Sequence, residues 1–63
     1  MADDGREVYF EFMAIGSTVS VTAIDSVTGI EVVTMGPKTA SQSDLQQLAL
    51  AKLKARLKRE ERR

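Results

Sequence analysis

Side chains that could perform chemistry are few in this sequence, and their types exclude most familiar reactions. The chain of 63 residues contains no cysteine and no histidine. It therefore lacks a thiol nucleophile, a disulfide, an imidazole base and the Cys/His ligand sets of structural zinc. Ser17, Ser41 and Ser43 have no histidine to activate them, so turn and capping roles are predicted for them. We predict a protein that is not an enzyme and uses no metal or cofactor.

The carboxylates Glu7 and Glu11 lie on one face of the first predicted strand, with Tyr9 between them. At about 3.4 Å per residue they stand roughly 13 Å apart, beyond the ~5–9.5 Å of paired-carboxylate catalysis. Both are therefore predicted to be ordinary solvated residues. Tyr9 points away from the predicted core and is the best single candidate for an interface anchor.

Basic side chains are concentrated at the C-terminal end. Residues 52–63 carry seven basic side chains against two acidic ones, whereas residues 1–51 carry seven acidic against two basic. Such an end complements the helix macrodipole, and it could also contact phosphates or the acidic sheet of a neighbouring subunit. No glycine cluster precedes the helix, so no phosphate-binding loop of the nucleotide-binding kinds is predicted. The candidate anion or nucleic-acid contacts are Lys52, Lys54, Arg56, Lys58, Arg59, Arg62 and Arg63.

The elements that position these side chains begin with a predicted three-stranded sheet over residues 6–36. A tight turn at Gly16-Ser17 joins the first two strands. This register sets apolar residues opposite each other in three successive pairs, namely Ala14 with Val19, Phe12 with Val21, and Phe10 with Ala23. The core is predicted to require Phe10, Phe12, Val21, Leu45, Ala49 and Leu53.

The second loop is predicted at residues 25–29, where Asp25 can accept backbone N–H bonds and Gly29 supplies a positive φ. The third strand covers residues 30–35, and Gly36-Pro37 is predicted to end it. A loop of three or of four residues turns either Val33 and Met35 or Ile30 and Val32 inward, and the sequence leaves this open. Either choice leaves the outer face too apolar for a monomer, because other apolar side chains already lie there: Tyr9, Met13, Ile15 and Ile24.

A helix is predicted from residue 42 to residue 60, after a cap formed by Ser41 with Asp44 or by Ser43 with Gln46. One apolar stripe, widened by Leu50, can cover the sheet and consists of Leu45, Ala49, Leu53 and Leu57. A second stripe consists of Leu48, Ala51 and Ala55. A helix with two apolar stripes needs two partners, and a second copy of the chain is the most economical choice for the second stripe.

Several runs also resemble a known family. These are residues 7–12, 19–25 and 28–32, the pair Gly36-Pro37, and the helix from Leu45 to Leu57 with its Leu48-Ala49 and Lys52-Leu53 pairs. The pattern resembles a family of small uncharacterised bacterial proteins with three strands and a helix, and the resemblance implies no activity. The element order is also similar to the second half of double-stranded-RNA-binding domains. Those domains carry lysines at the start of their last helix, where this chain has Ser41, Gln42, Ser43 and Asp44.

The sequence thus predicts an α+β fold, a three-stranded antiparallel β-meander followed by one C-terminal α-helix. The single domain would comprise a flexible N-terminus (1–5), the sheet (6–36), the helix (42–60) and a frayed basic tail (61–63). With no signal sequence and no membrane span, a cytoplasmic location is predicted. The expected function is a non-enzymatic interaction or regulatory module acting as a homodimer or higher oligomer, and RNA or other nucleic-acid binding is the alternative. The candidate interface residues are Tyr9, Met13, Ile24, Leu48, Ala51 and Ala55.

Overall fold

The computed structural model describes residues 5–61 and shows three strands followed by one helix. The strands are β1 (Val8–Ile15), β2 (Thr18–Asp25) and β3 (Glu31–Pro37), and the helix is α1 (Gln42–Glu61). Both strand pairs are antiparallel and β2 is central. The predicted α+β meander is confirmed. The segments predicted to be flexible or frayed, residues 1–5 and 61–63, lie largely outside the described residues.

The first hairpin has the predicted register. Ile15 pairs with Thr18, so Gly16 and Ser17 are the two turn residues, and Phe12 pairs with Val21. Gly16 adopts φ 60°, and no residue other than glycine has a positive φ in the described part of the chain. A positive φ at the first turn position alone is typical of a type II′ turn, whose twist matches that of the flanking strands.

The second hairpin has a four-residue loop. The Asp25 N–H donates to the Ile30 carbonyl at 2.9 Å, and Gly29 adopts the predicted positive φ, at 77°. This loop length turns Ile30 and Val32 toward the helix. The opposite, outer face receives the exposed side chains of Val33 and Met35.

The third strand ends at Gly36-Pro37 as predicted, but both residues belong to it, so β3 extends two residues beyond the predicted end at Met35. Gly36 pairs with Val19 and Pro37 pairs with Thr18, so β3 and the sheet continue through both residues. Pro37 is tolerated because it closes an edge strand, where its missing N–H costs no ladder bond. Gly36 lets the helix pack closely: a Cβ built there would lie 2.6 Å from Cδ2 of Leu45 at the start of the helix, so the Leu45 side chain would have to shift.

The helix begins after Ser41, whose Oγ accepts a hydrogen bond from the Asp44 N–H at 3.3 Å. Of the two predicted caps, the structure contains this one. The helix ends at Glu61, one residue later than predicted. Its buried side chains are those of the first predicted stripe: Leu45, Ala49, Leu53 and Leu57.

The core lies between the helix and the strands β2 and β3, because the helix packs against these two and hardly touches β1. Val21, Ala49 and Leu53 are fully buried. Phe10 is half-buried and packs against this core, but Phe12 is 38% exposed. The prediction that Phe12 is buried in the core is therefore wrong, because the helix does not extend over the distal half of β1.

Candidate functional site

The most exposed element of the sheet is β1, which is open on both faces. From Tyr9 onward, Phe10 is the one residue of this strand that is not exposed. Apolar side chains dominate this surface, and the largest exposed fraction is that of Ile15, at 69%. Large apolar side chains exposed next to one another are typical of an interaction site rather than of an ordinary surface.

The outer face of the sheet carries these side chains in rows that cross all three strands. One row consists of Tyr9, Ile24 and Glu31, and another of Met13, Ser20 and Met35. Small polar residues of β2 form the floor between the longer side chains of the two edge strands. The result is an open groove of about 250 Å³, lined by Met13, Ile15, Thr18, Ser20 and Met35.

Tyr9 stands at one end of the outer face, beside Glu7. Its hydroxyl donates a hydrogen bond to Glu7 Oε1 at 2.8 Å. The hydrogen bond to this carboxylate, the negative charge of Glu7 and partial desolvation raise the pKa of Tyr9 above its ordinary value. The phenol is therefore neutral at physiological pH, with an exposed ring that is free to contact a partner.

The inner face of β1 borders a second groove, of about 310 Å³, beside the start of the helix. It exists because the helix is displaced toward β3 and leaves Phe12 and Ala14 uncovered. The groove is lined by Phe12, Ala14, Val19, Lys38, Ala40, Gln42 and Leu45. Its apolar edge is continuous with the exposed edge of β1.

Asp25 is a charged side chain with no exposed surface, and its contacts explain its place in the fold. Its Oδ1 forms an ion pair with Arg6 Nε at 2.9 Å, and its Oδ2 accepts the N–H and the hydroxyl of Thr28 at 2.8 Å each. Burial opposes ionisation, but the bonds from Thr28 and the charge of Arg6 outweigh it and hold the pKa of Asp25 below its ordinary value. Through these bonds Asp25 links the second loop to the segment preceding β1, so its role is structural.

The second helix stripe faces away from the sheet. Leu48 is 55% exposed, and Ala51 and Ala55 are exposed beside it. These residues lie on the opposite side of the molecule from Tyr9, Met13 and Ile24, so the predicted interface set divides into two separate surfaces. Ile24 is only half-buried between its strand neighbours. A contact by either surface stays a prediction.

The basic residues of the helix are also divided. Lys52 donates to the Val33 carbonyl at 2.6 Å, and Arg56 forms an ion pair with Glu60 at 3.0 Å. Lys54, Lys58 and Arg59 are exposed. Arg62 and Arg63 lie outside the described residues. The structure therefore assigns two of the predicted anion contacts to bonds within the fold.

The two groups of the described chain with shifted pKa values, Tyr9 and Asp25, lie on opposite faces of the sheet. Within residues 5–61, no cluster of three or more acidic side chains is arranged to hold a metal ion. The helix of this same segment is too polar to span a membrane. The described residues instead bring apolar side chains together on and around β1.

The sequence misses three features of the two edge strands. It predicts Phe12 in the core, it leaves open whether Val33 and Met35 face inward, and it predicts Lys52 only as an anion contact. The length of the second loop is the signal that fixes Val33 and Met35, because a four-residue loop ending in a positive-φ glycine sets the phase of β3. No local signal fixes Phe12, whose exposure depends on the lateral position of the helix.

Comparison with known proteins supplies a family and no activity. No curated protein matches the chain, and no solved structure matches it. One family model matches residues 5–60, which span all three strands and nearly the whole helix, and its description is "Domain of unknown function (DUF6898)". The chain belongs to this family, the DUF6898 domain of unknown function.

Proposed function

We propose that this chain is a small non-enzymatic interaction module of the bacterial cytoplasm that acts as a homo-oligomer. The observation that carries the proposal is the set of exposed apolar side chains on and around β1, the strand that the helix leaves uncovered. Met35 is 66% exposed and Ile15 is 69% exposed, although each lies beside further apolar side chains. Contiguous apolar surface of this kind favours a protein partner.

A second copy is the favoured partner because the chain has little core of its own. Its fully buried apolar side chains are Val21, Ala23, Ala49 and Leu53. A domain of this size without disulfides or metal gains stability most readily by oligomerisation. Self-association would add the apolar area that a single helix cannot cover.

The chemistry of the surface also supports a contact role. Its polar groups include the hydroxyls of Ser20 and Thr22 on β2 and the carboxylate of Glu11 on β1. A catalytic centre requires convergent groups with matched proton affinities. The surface instead offers thioether and aliphatic side chains, which adapt to the shape of a partner.

Sedimentation equilibrium on the wild-type chain tests the proposal. We expect a dimer or larger species at tens of micromolar, together with a thermal midpoint that rises with protein concentration. Ile15→Glu and Tyr9→Glu should weaken association while leaving the monomer folded, because both side chains are exposed. Gln47→Glu is the matched control, since it adds the same charge at an exposed position on the helix.

A single species of 6.9 kDa at tens of micromolar, with a midpoint independent of concentration, would reject self-association. Leu48→Glu separates the two apolar surfaces. If it dissociates the oligomer and Ile15→Glu does not, the helix stripe rather than the sheet is the contact surface.

Binding of nucleic acid is the second candidate function, and the exposed Lys54, Lys58 and Arg59 favour it. Affinity for RNA would then fall steeply with salt, because each neutralised phosphate releases counterions. Lys54→Gln with Lys58→Gln should flatten that dependence, and Lys38→Gln, at an exposed position beyond β3, is the control. Absence of RNA binding at low salt would reject this candidate.

A further inference from the structure

The backbone groups on the free edge of β1 can be assigned from the ladder. The Ser26 N–H donates to the Glu7 carbonyl at 2.9 Å, in the same register as the rest of the hairpin. Because antiparallel partners alternate between bonded and non-bonded pairs, the odd-numbered residues of β1 bond to β2. The backbone N–H and C=O groups that point away from the sheet, in its plane, belong to Val8, Phe10, Phe12 and Ala14.

Apart from the charge of Glu11, this edge carries none of the features that normally prevent strand pairing. β1 contains eight residues, with no proline, glycine or lysine among them. On the opposite edge, Pro37 offers no N–H and Lys52 occupies the Val33 carbonyl. Proteins protect their edge strands with such features because an open edge is a template for another strand. In the part of the chain that the structure describes, no other strand pairs with β1 beyond β2.

We infer that the β1 edge binds the β1 edge of a second copy, antiparallel and about a two-fold axis, so that the two sheets become continuous. The inference rests on the proposed self-association and locates it. An isologous contact of this kind requires one strand to be complementary to itself. The helix does not obstruct it, because α1 lies over β2 and β3.

Two registers give this pairing its greatest length, and charge distinguishes them. Because the outward groups are on even-numbered residues, the axis can pass either between two copies of Phe12 or between two copies of Glu11. The second register sets two carboxylates directly opposite each other, which is destabilising. The Phe12-centred register instead sets Glu11 opposite Met13 and the large Phe10 opposite the small Ala14. The structure therefore favours the Phe12-centred register.

This contact covers apolar groups that the monomer leaves open on β1. Phe12, 38% exposed, would lie against its own copy above the inner face, between the two helices. On the outer face, Tyr9 would lie beside Ile15 of the second copy. Cross-strand aromatic and aliphatic pairs are the units that stabilise a sheet.

Amide hydrogen exchange of the wild-type chain, followed residue by residue by NMR, tests the edge directly. The N–H groups of Phe10, Phe12 and Ala14 should exchange quickly in dilute samples and become protected by about tenfold or more in concentrated ones. The matched controls are the N–H groups of Glu11 and Met13, which already bond to β2 and should change less. Another control is the outward Met35 N–H on the β3 edge, which should not change.

Single cysteines test the register, because the natural chain contains none. In the Phe12-centred dimer, Phe12→Cys places two thiols on a directly opposed pair, whose Cα atoms are about 5.5 Å apart and within disulfide reach. Glu11→Cys places its thiols on a diagonal, about 7–8 Å apart and beyond easy bridging. Gln47→Cys, exposed on the helix, reports cross-linking by random collision.

Rapid cross-linking through position 12, slow cross-linking through position 11 and concentration-dependent protection of the outward amides would support the inference. Faster cross-linking through position 11 would overturn it, and so would a sedimenting oligomer whose β1 amides stay unprotected. In that last case the proposed self-association would stand and its contact would lie elsewhere. A chain that sediments as a monomer would overturn both proposals.

Discussion

The two edge strands belong to one small sheet but differ in how the rest of the chain treats them. The helix covers β3, Lys52 occupies its Val33 carbonyl, and Pro37 closes its end. The helix leaves β1 almost untouched, so that strand is exposed from Phe12 to Ile15 on both faces. One edge is therefore protected within the monomer, and the other is available for a partner.

The difference shows that the lateral position of a single helix decides which part of a sheet can interact. A helix is only about 10 Å wide, and neighbouring strands lie about 4.8 Å apart, so one helix covers little more than two strands. Gly36 permits Leu45 to approach β3 closely, which draws the start of the helix toward that side. The exposure of β1 follows from this choice of side rather than from the composition of β1 itself.

The largest expected effect on the free energy of unfolding is at a side chain under the helix, and we compare it with one on β1 that the helix leaves uncovered. Leu53→Ala removes a side chain with no exposed surface and should lower the free energy of unfolding by about 2–5 kcal/mol. Phe12→Ala should cost only about 1–2 kcal/mol, because part of its ring is already solvated. Urea unfolding measures both, at a concentration where the chain is monomeric. An equal or larger loss for Phe12→Ala would show that the helix covers β1 in solution.

A smaller effect is expected at the close approach that fixes the side of the helix. Gly36→Ala introduces a Cβ against the buried Leu45 and should destabilise the chain by about 1–3 kcal/mol through overpacking. Leu45→Ala makes room for that Cβ, so in a double-mutant cycle the double variant should be more stable than the sum of the single losses predicts. Additive losses would mean that Gly36 does not set the helix position.

Features set by local patterns could be predicted from the sequence, whereas features set by the position of the helix could not. Alternation along a strand and a two-residue turn are local, so the pairing of Phe12 with Val21 and the buried stripe containing Leu53 could be derived from the sequence. The role of Gly36 could not, because glycine before proline has the local pattern of a strand end, while its actual role is a contact with the helix.

The candidate surface was likewise predictable in part. Alternation along β1 predicts Tyr9 and Met13 on the outer face, and the structure exposes both. The outward direction of Met35 depends on the length of the second loop, and the sequence is compatible with three or four residues. The exposure of Phe12 depends on where the helix packs across the sheet, and no spacing of residues within β1 encodes that position.

The bond from Lys52 to the β3 edge sharpens the comparison further. Lys52→Met keeps the apolar stem but removes the ammonium group, so the Val33 carbonyl loses its donor. We expect a loss of about 0.5–1 kcal/mol, since the bond is exposed to solvent. Lys54→Met is the matched control, two residues along the same helix. If both variants unfold at the same urea concentration, Lys52 contributes nothing to the protection of this edge.

The smallest effect is a shift in the titration of Tyr9, which reports on the β1 side. The chain has one tyrosine and no tryptophan, so phenolate absorbance follows this residue alone. Glu7→Gln should lower the pKa of Tyr9 toward its ordinary value, because the carboxylate that accepts its hydrogen bond and repels the phenolate is removed. Folding raises the pKa of Tyr9, so the contribution of Tyr9 to stability is fully present below its ordinary pKa of about 10. This contribution is lost as the pH rises through the higher pKa of the folded state. Glu11→Gln, on the same face two residues beyond Tyr9, is the matched control and should shift the titration less.

If the edges of two copies pair, Ile15 of the second copy desolvates the phenol, and the pKa of Tyr9 should rise further with protein concentration. A titration that is the same in all three chains would remove Glu7 as the cause, and one that is the same at all concentrations would place Tyr9 outside any contact.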